Sequence, residues 1–309
     1  MVFEDLSKIE KIFNEKNINE AKKLIIKPQR KKPQSVLNRS YLMLSANKIK
    51  HLNKLDSLEC DSVTINLEDG VSPEEKEIAR YMAAVFISNL KNSYSKIIVR
   101  VNPLDEGGHE DIKLINSVKP DAIRIAKIRT KEDAKKACEL IDDGIAVHFS
   151  LETKEAFNNI TSLRVDNRIT TFSLGIFDLL ADLGISHSTL AYNNPTIEYI
   201  LSKFLVDCRS IGVTPVSFTY QEYQKLESFR YWCCLEKKMG FLSKSCISPK
   251  QVEIANEVFD ISKDEKSKAA YIIKRFEEMQ KKGITGFSDE TYGFIDEPIY
   301  KGAKKILQA

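Results

Sequence analysis

Eight short apolar runs, set among helical patterns, occupy residues 37–250, and this alternation constrains the chain more than any single motif. The strand candidates are Ser40–Leu44, Ser62–Leu67, Lys96–Val101, Ala122–Ala126, Ala146–Leu151, Thr170–Leu174, Thr214–Ser217 and Cys246–Ile247. Helical patterns between them include Pro73–Leu90, Lys131–Ile141, Thr196–Ile211 and Tyr220–Met239. Strands separated by helices must run parallel, joined by right-handed crossovers. Eight such strands close a barrel. The rival is an open, doubly wound sheet. The sequence has no Gly-x-Gly-x-x-Gly and no phosphate-loop lysine motif, which argues against the nucleotide-binding sheets of that kind. The expected fold is an α/β TIM (β/α)8 barrel over residues 37–250. An N-terminal helical extension with a basic linker (1–36) precedes it, and C-terminal helices with a lid segment (251–309) follow.

Several strands end in charge. Val63 and Ile65 lead into Glu68-Asp69, then Gly70, Ser72-Pro73 and a helix. Ile97 to Asn102 places Arg100 near a strand end, Val147 to Glu152 ends in a glutamate, and Ser173 to Asp178 leads to an aspartate. Parallel strands bring such tips to one face, where barrel enzymes build their active sites. Glu152 and Asp178, on consecutive strands, suit a hard cation with oxygen ligands, so Mg2+ is the expected metal. Arg100 offers a planar fork for a carboxylate or a developing enolate oxygen, or else pairs with Glu68 or Asp69. Alternate strand residues face opposite ways, so one of Glu68 and Asp69 faces the centre; Glu68 is the choice. An isolated tip glutamate such as Glu152 more often caps or pairs with the next helix. Lys76 and Arg80 share a helix face and are expected to pair with Glu75 or Glu77 or to stay solvated. His51, His109, His148 and His187 lack ligand spacing; His148 reads as a hydrogen-bonded interior residue.

Charge points to no special partner. With 47 basic and 44 acidic residues the net charge is +3, so neither nucleic acid nor membrane is expected. The six cysteines show no C-x-x-C and read as free, mostly buried thiols in a reducing compartment. The N-terminus lacks a signal-peptide pattern, and no apolar run nears the roughly 20 residues of a membrane span. A cytoplasmic protein is expected. In the extension, Leu6, Ile9, Ile12, Phe13 and Ile18 recur at near-helical spacing. Lys27 to Gln34, with two prolines, reads as a linker. The extension is expected to be solvated, with a docking arm or a phosphate-contacting strip as the alternative. Gly283 to Asp296 reads as a connector or a lid loop.

Read together, these motifs resemble the citrate lyase β-subunit-like family within the HpcH/HpaI aldolase group, over about residues 39 to 303. The resemblance rests on Arg39-Ser40-x-Leu42, on Leu67-Glu68-Asp69-Gly-Val71-x-Pro73-x-x-Lys76-x-x-Ala79-Arg80, and on Arg100-Val-Asn-Pro103. It continues through Lys127, Glu152, Gly175-x-x-Asp178-Leu179-x-x-Asp182-Leu-Gly184, Gly240-Phe-x-x-Lys244-x-x-Ile247-x-Pro249-x-Gln251 and Ile295-Asp296-x-Pro298, all in order. It implies a Mg2+-dependent carbon–carbon lyase that cleaves or forms a 3-hydroxyacyl thioester from an acyl thioester and a 2-keto acid such as oxaloacetate, glyoxylate or pyruvate. It places the metal on Glu152 and Asp178 and the substrate at Arg100, Glu152, Arg39 and Lys127. Catalytic roles fall on Arg100, Glu68 and Asp296, the last donated by a neighbouring subunit of a homotrimer. The thioester carrier would be coenzyme A or an acyl carrier.

The chain departs from the family pattern at Ser45-Ala46, Asn66, Ala126 and Ser248. The metal and keto-acid end therefore resembles the family more closely than the acyl-carrier end. A thioesterase or a malate-synthase-like condensing enzyme on the same site is the alternative. A degenerate barrel that binds ligands or assembles with partners is the alternative of another class.

Overall fold

The computed structural model describes residues 1–31, 33 and 37–308, so Lys32 and Gln34 of the expected linker lie outside the described residues. The chain forms two compact units, 1–258 and 259–309.

The first unit opens with two helices, α1 (Ser7–Asn14) and α2 (Ile18–Leu24). Strands β1 (Ser40–Ser45), β2 (Ser62–Asn66), β3 (Lys96–Val101), β4 (Ala122–Ile125), β5 (Ala146–Leu151), β6 (Ile169–Leu174), β7 (Thr214–Val216) and β8 (Lys244–Cys246) follow. Between them lie α3 (Ile49–Leu52), α4 (Lys76–Asn89), α5 (Gly108–Asn116), α6 (Lys131–Leu140), α7 (Lys154–Asn158), α8 (Ile176–Asp182), α9 (Pro195–Ser210) and α10 (Leu226–Met239). The sheet order is β7-β6-β5-β4-β3-β2-β1-β8, with each neighbouring pair parallel. A parallel bridge from Ser217 to Lys244 joins the two ends. The sheet is therefore a TIM-type barrel and not the open rival. β7 and β8 are the shortest of the eight, three residues each. α10 begins at Leu226, later than its periodicity predicts; the Tyr220 carbonyl instead accepts the Gln251 side-chain amide at 3.0 Å.

The N-terminal extension is not solvated, contrary to the sequence expectation. Ile9, Ile12 and Ala21 are buried, and Phe3 meets Phe86 of α4 edge-on at 5.2 Å. The Asn89 amide donates to the Leu24 carbonyl at 2.9 Å. The physical reason lies in α4. Its run Met82-Ala-Ala-Val-Phe-Ile87 is buried throughout, which a helix covered on one face alone cannot achieve. The extension supplies the second cover.

The barrel interior is unusually polar. Arg124, His148 and Thr171 are aligned across β4, β5 and β6, and all three are buried. His148 is an interior residue as expected, but its Nδ1 has no hydrogen-bond partner. Burial, with the charges of Arg124 and Lys96, pushes its pKa down to about 3. The unfolded chain therefore binds a proton at about pH 6.5 that the folded chain refuses. Stability from this group is complete above pH 6.5 and is lost as pH falls toward 3, by at most about 1.4 kcal/mol per pH unit. Denaturant midpoints between pH 7 and 4.5 should fall more steeply for the parent than for His148→Phe; parallel slopes would contradict this.

The second unit follows α11 (Pro249–Phe259) and contains α12 (Lys263–Gln280), β9 (Gly286–Asp289), β10 (Gly293–Asp296) and α13 (Glu297–Gln308). Its core is Ala269, Ile272, Phe276, Ile295 and Ala303, with Tyr300 stacked on Phe276 at 4.4 Å. The expected loop over Gly283–Asp296 is instead an antiparallel hairpin. Its turn forms because Asp289 Oδ1 accepts the Thr291 and Tyr292 amides at 2.9 and 3.1 Å. No described helix is long and apolar enough to cross a membrane. The six cysteines are free, and all but Cys234 are buried.

Candidate active site

The carboxyl ends of β2 to β6 gather one charged cluster. Past β2 the chain turns, and Glu68 points inward and is buried, while the Asp69 side chain stays 62% exposed. Arg100 on β3 lies 2.7 Å from Glu68 Oε2 and 3.4 Å from Asp69 Oδ2. Its Nε donates to Asn66 Oδ1 at 2.8 Å. The same Asn66 oxygen accepts the Glu68 amide at 3.0 Å, and the Asn66 amide group donates to the Asp69 carbonyl. An aspartate at position 66 could not make that last bond, because an ionised carboxylate has no donor. Arg100 is thus held from two sides before any substrate arrives.

Lys127, just past β4, reaches within 3.6 Å of Glu68 Oε1. Its backbone is left-handed, with φ at 51°, a conformation costing about 1–3 kcal/mol in a non-glycine residue. That geometry aims its amide at Glu152 Oε1, 2.7 Å away. Glu152 is buried at the end of β5. It does not cap the following helix; Thr153 does, accepting the Ala156 amide. The Glu152 side chain is thereby left to the barrel mouth.

Burial pushes the Glu152 carboxyl up to about 7; Arg100 and the Lys127 amide oppose that rise, and Glu68 and Asp178 add to it. Asp178 stands in the first turn of α8 and is exposed. Gly175 lies between them in sequence. A Cβ at Gly175 would sit 2.6 Å from both Glu152 Cβ and Oε2, so the glycine is the cradle for this carboxylate. Among the described residues no cluster of three or more His, Cys, Asp or Glu is placed to hold a metal. Two carboxylates, one buried and one exposed, instead fit a cation that completes its shell with water and substrate oxygens, as Mg2+ does. Gly175→Ala should displace the Glu152 carboxylate and weaken Mg2+ binding by roughly 10–100-fold, the range for disturbed ligand support. Mg2+ titration by calorimetry checks this; unchanged affinity would remove Glu152 from the site.

Beneath the cluster lies a support that the sequence reading assigned to the surface. Lys76 Nζ donates to the carbonyls of Leu67 and Glu68 at 3.0 and 2.7 Å and to Asn102 Oδ1 at 2.7 Å. Asn102 donates to Asp111 Oδ2 at 2.7 Å, and Asp111 accepts Arg80 Nε at 2.5 Å. These bonds fix the backbone that carries Glu68. The signal was available: Lys76 and Arg80 share one face of the helix that leaves the β2 tip.

Arg39 is not with the others. It precedes β1, at the opposite end of the barrel, and grips Asp61 through Nε at 2.9 Å and Nη2 at 3.1 Å. It ties the start of β1 to the start of β2, and its expected substrate role is corrected on that ground. Asp296 lies in the second unit, where its Oδ1 caps α13 by accepting the Ile299 amide at 3.2 Å.

The model of the family described as HpcH/HpaI aldolase/citrate lyase matches residues 39–249. The chain belongs to that family. This family member is 31% identical over 246 residues to a (3S)-malyl-CoA thioesterase of Cereibacter sphaeroides, covering 79% of this chain and 85% of the relative. It is 24% identical over 285 residues to the citrate lyase subunit beta of Leuconostoc mesenteroides subsp. cremoris, covering 88% and 93%. The CitE protein of Mycobacterium tuberculosis in complex with magnesium, acetoacetate and coenzyme A superposes with a TM-score of 0.70 at 18% identity, over 88% of this chain and 98% of that one. The chain is an enzyme of this lyase class.

Proposed function

We propose that the enzyme acts on a 3-hydroxyacyl-coenzyme A thioester of the malyl type, at the cluster of Glu68, Arg100, Lys127, Glu152 and Asp178. The observation that carries this reading is the pre-held Arg100 beside the buried, cradled Glu152. Glu152 and Asp178 would hold Mg2+. When bound, the ion supplies charge that polarises a keto-acid carbonyl and offsets the two carboxylates.

The chain's own residues do the rest. Arg100 keeps outer N–H groups for an oxygen on which charge develops as the carbon–carbon bond breaks. Glu68 and Asn66 keep the guanidinium from rotating away. Lys127 adds positive charge at the rim. By the family resemblance, Asp296 of a neighbouring copy would be the acid–base group. Its Oδ1 serves α13, which leaves Oδ2, when protonated, to deliver a proton to the acyl carbon and turn the enolate into a methyl group, while the substrate hydroxyl gives its own proton to water as it becomes the keto-acid carbonyl.

The 31% identity to a thioesterase favours hydrolysis as a second reading. The same bound thioester would then lose coenzyme A to water. Incubating malyl-coenzyme A with enzyme and Mg2+ separates the readings. Glyoxylate with acetyl-coenzyme A supports the lyase. Malate with free thiol supports the hydrolase. Neither product at any Mg2+ concentration defeats both.

A further inference from the structure

At the end of the barrel opposite the active site, a cavity of about 360 Å3 opens among the first residues of the strands, ample room for several waters or a small ion. Tyr41, Ser62, Lys96, Asp121, His148 and Thr171 are among the residues that line it. The amino-terminal mouth of such a barrel ordinarily serves stability and is filled by apolar side chains. This one presents buried groups with nothing to bind. Ser62 Oγ and His148 Nδ1 have no hydrogen-bond partner, and both residues are more than nine-tenths buried. Buried polar atoms are normally paired, so each such orphan asks for an explanation.

Charge says what kind of partner would fit. Lys96 donates to Asn38 Oδ1 at 2.7 Å and to the Leu37 carbonyl at 3.4 Å, leaving one of its three N–H bonds. Arg124, the register neighbour of His148, is 2% exposed. Its one hydrogen bond among the described residues goes to Thr64 Oγ1 at 2.9 Å, and its Nε has none. The nearby carboxylates are already matched. Asp61 is gripped by Arg39, and Asp121 by Arg30 and the Ile97 amide. Lys96, half-buried on the cavity wall, thus has no carboxylate hydrogen-bonded to it among the described residues, although Asp61 and Asp121 lie near enough to favour its charge. Arg124 is buried beside His148 without a carboxylate partner of its own, and buried charge without a counter-charge is costly.

We propose that the amino-terminal mouth of this barrel is a binding site for a small oxyanion of phosphate size, seated on Lys96 with Ser62 and His148 as hydrogen-bond partners. Either free phosphate or the phosphoryl end of a metabolite has this chemistry. The oxyanion would supply the missing negative charge and would stabilise the barrel from the side remote from catalysis.

The test uses the full chain and inorganic phosphate, with potassium chloride at matched ionic strength as the control. Melting temperature and calorimetric titration should show saturable phosphate binding that chloride does not reproduce. Lys96→Met should weaken it at least about tenfold, the effect of losing a charged hydrogen bond. Ser62→Ala removes only a hydroxyl, keeps the fold testable, and should weaken binding less. Arg100→Met, at the other mouth, should leave it unchanged. Glycerol phosphate as a second probe distinguishes free phosphate from a phosphoryl end. The proposal is overturned if phosphate acts no more strongly than chloride, which would mean the cavity simply holds water. It is equally overturned if Arg100→Met abolishes the response while Lys96→Met keeps it.

Discussion

Glu152→Gln is expected to reduce turnover by about 10³-fold or more, since a bound cation supplies several kcal/mol of charge stabilisation. The same substitution should leave the melting temperature unchanged or higher. Glutamine keeps an oxygen for the Lys127 amide, and it removes a carboxyl that burial, Glu68 and Asp178 all disfavour as an anion. Loss of activity with gain of stability is the signature of a group placed for function at a structural cost. Steady-state kinetics and thermal unfolding in parallel measure both halves. Full turnover in this variant would sink the assignment of Glu152 as a metal ligand.

The second large effect concerns the barrel wall. Lys244 on β8 and Glu236 on α10 form an ion pair at 2.5 Å, and both side chains are wholly buried. The Lys244 ammonium also lies 3.5 Å from the centre of the Phe218 ring. Lys244→Met should destabilise the fold by about 3–5 kcal/mol, because Glu236 is left charged or protonated in an apolar layer. Adding Glu236→Leu should recover most of that loss, since a well-packed apolar pair can replace a buried ion pair at little net cost. Urea unfolding of parent, single and double variants reads this directly. A single variant as stable as the parent would show that the pair contributes nothing.

The contrast between these predictions follows what was legible in the sequence. Glu68, Arg100, Glu152 and Asp178 each stand at or just after a strand pattern, and parallel strands with one shared carboxyl end bring such residues together. That inference needs only local periodicity and the parallel rule. Lys244 was legible only as part of a family-like motif. Its pairing with Glu236, eight residues earlier, depends on a helix folding back over its own following strand.

Arg39 shows the limit of a motif read without its place on the strand. It stands at the beginning of β1, so the rule that gathers strand ends sends it to the opposite mouth, onto Asp61. Lys76 shows the converse. A helix face after a strand tip looks solvated in one dimension, yet it turns back under the tip and takes three oxygens. The extension, too, looks wet in one dimension because its own residues are charged. The evidence for its packing was the unbroken apolar run of α4, in another part of the chain.

The amino-acid sequence by itself determined the alternation of elements, their parallel connection, and which acidic and basic groups stand at the carboxyl ends of the strands, because those follow from periodicities of two and 3.6 residues and from the parallel rule. Tertiary structure alone decided that the sheet closes, which face of α4 the extension covers, where Arg39 and Lys76 act, and that the far mouth opens a polar cavity beside Lys96. Those depend on contacts between segments distant in the chain, where burial and the nearest opposite charge, and not local pattern, set the outcome.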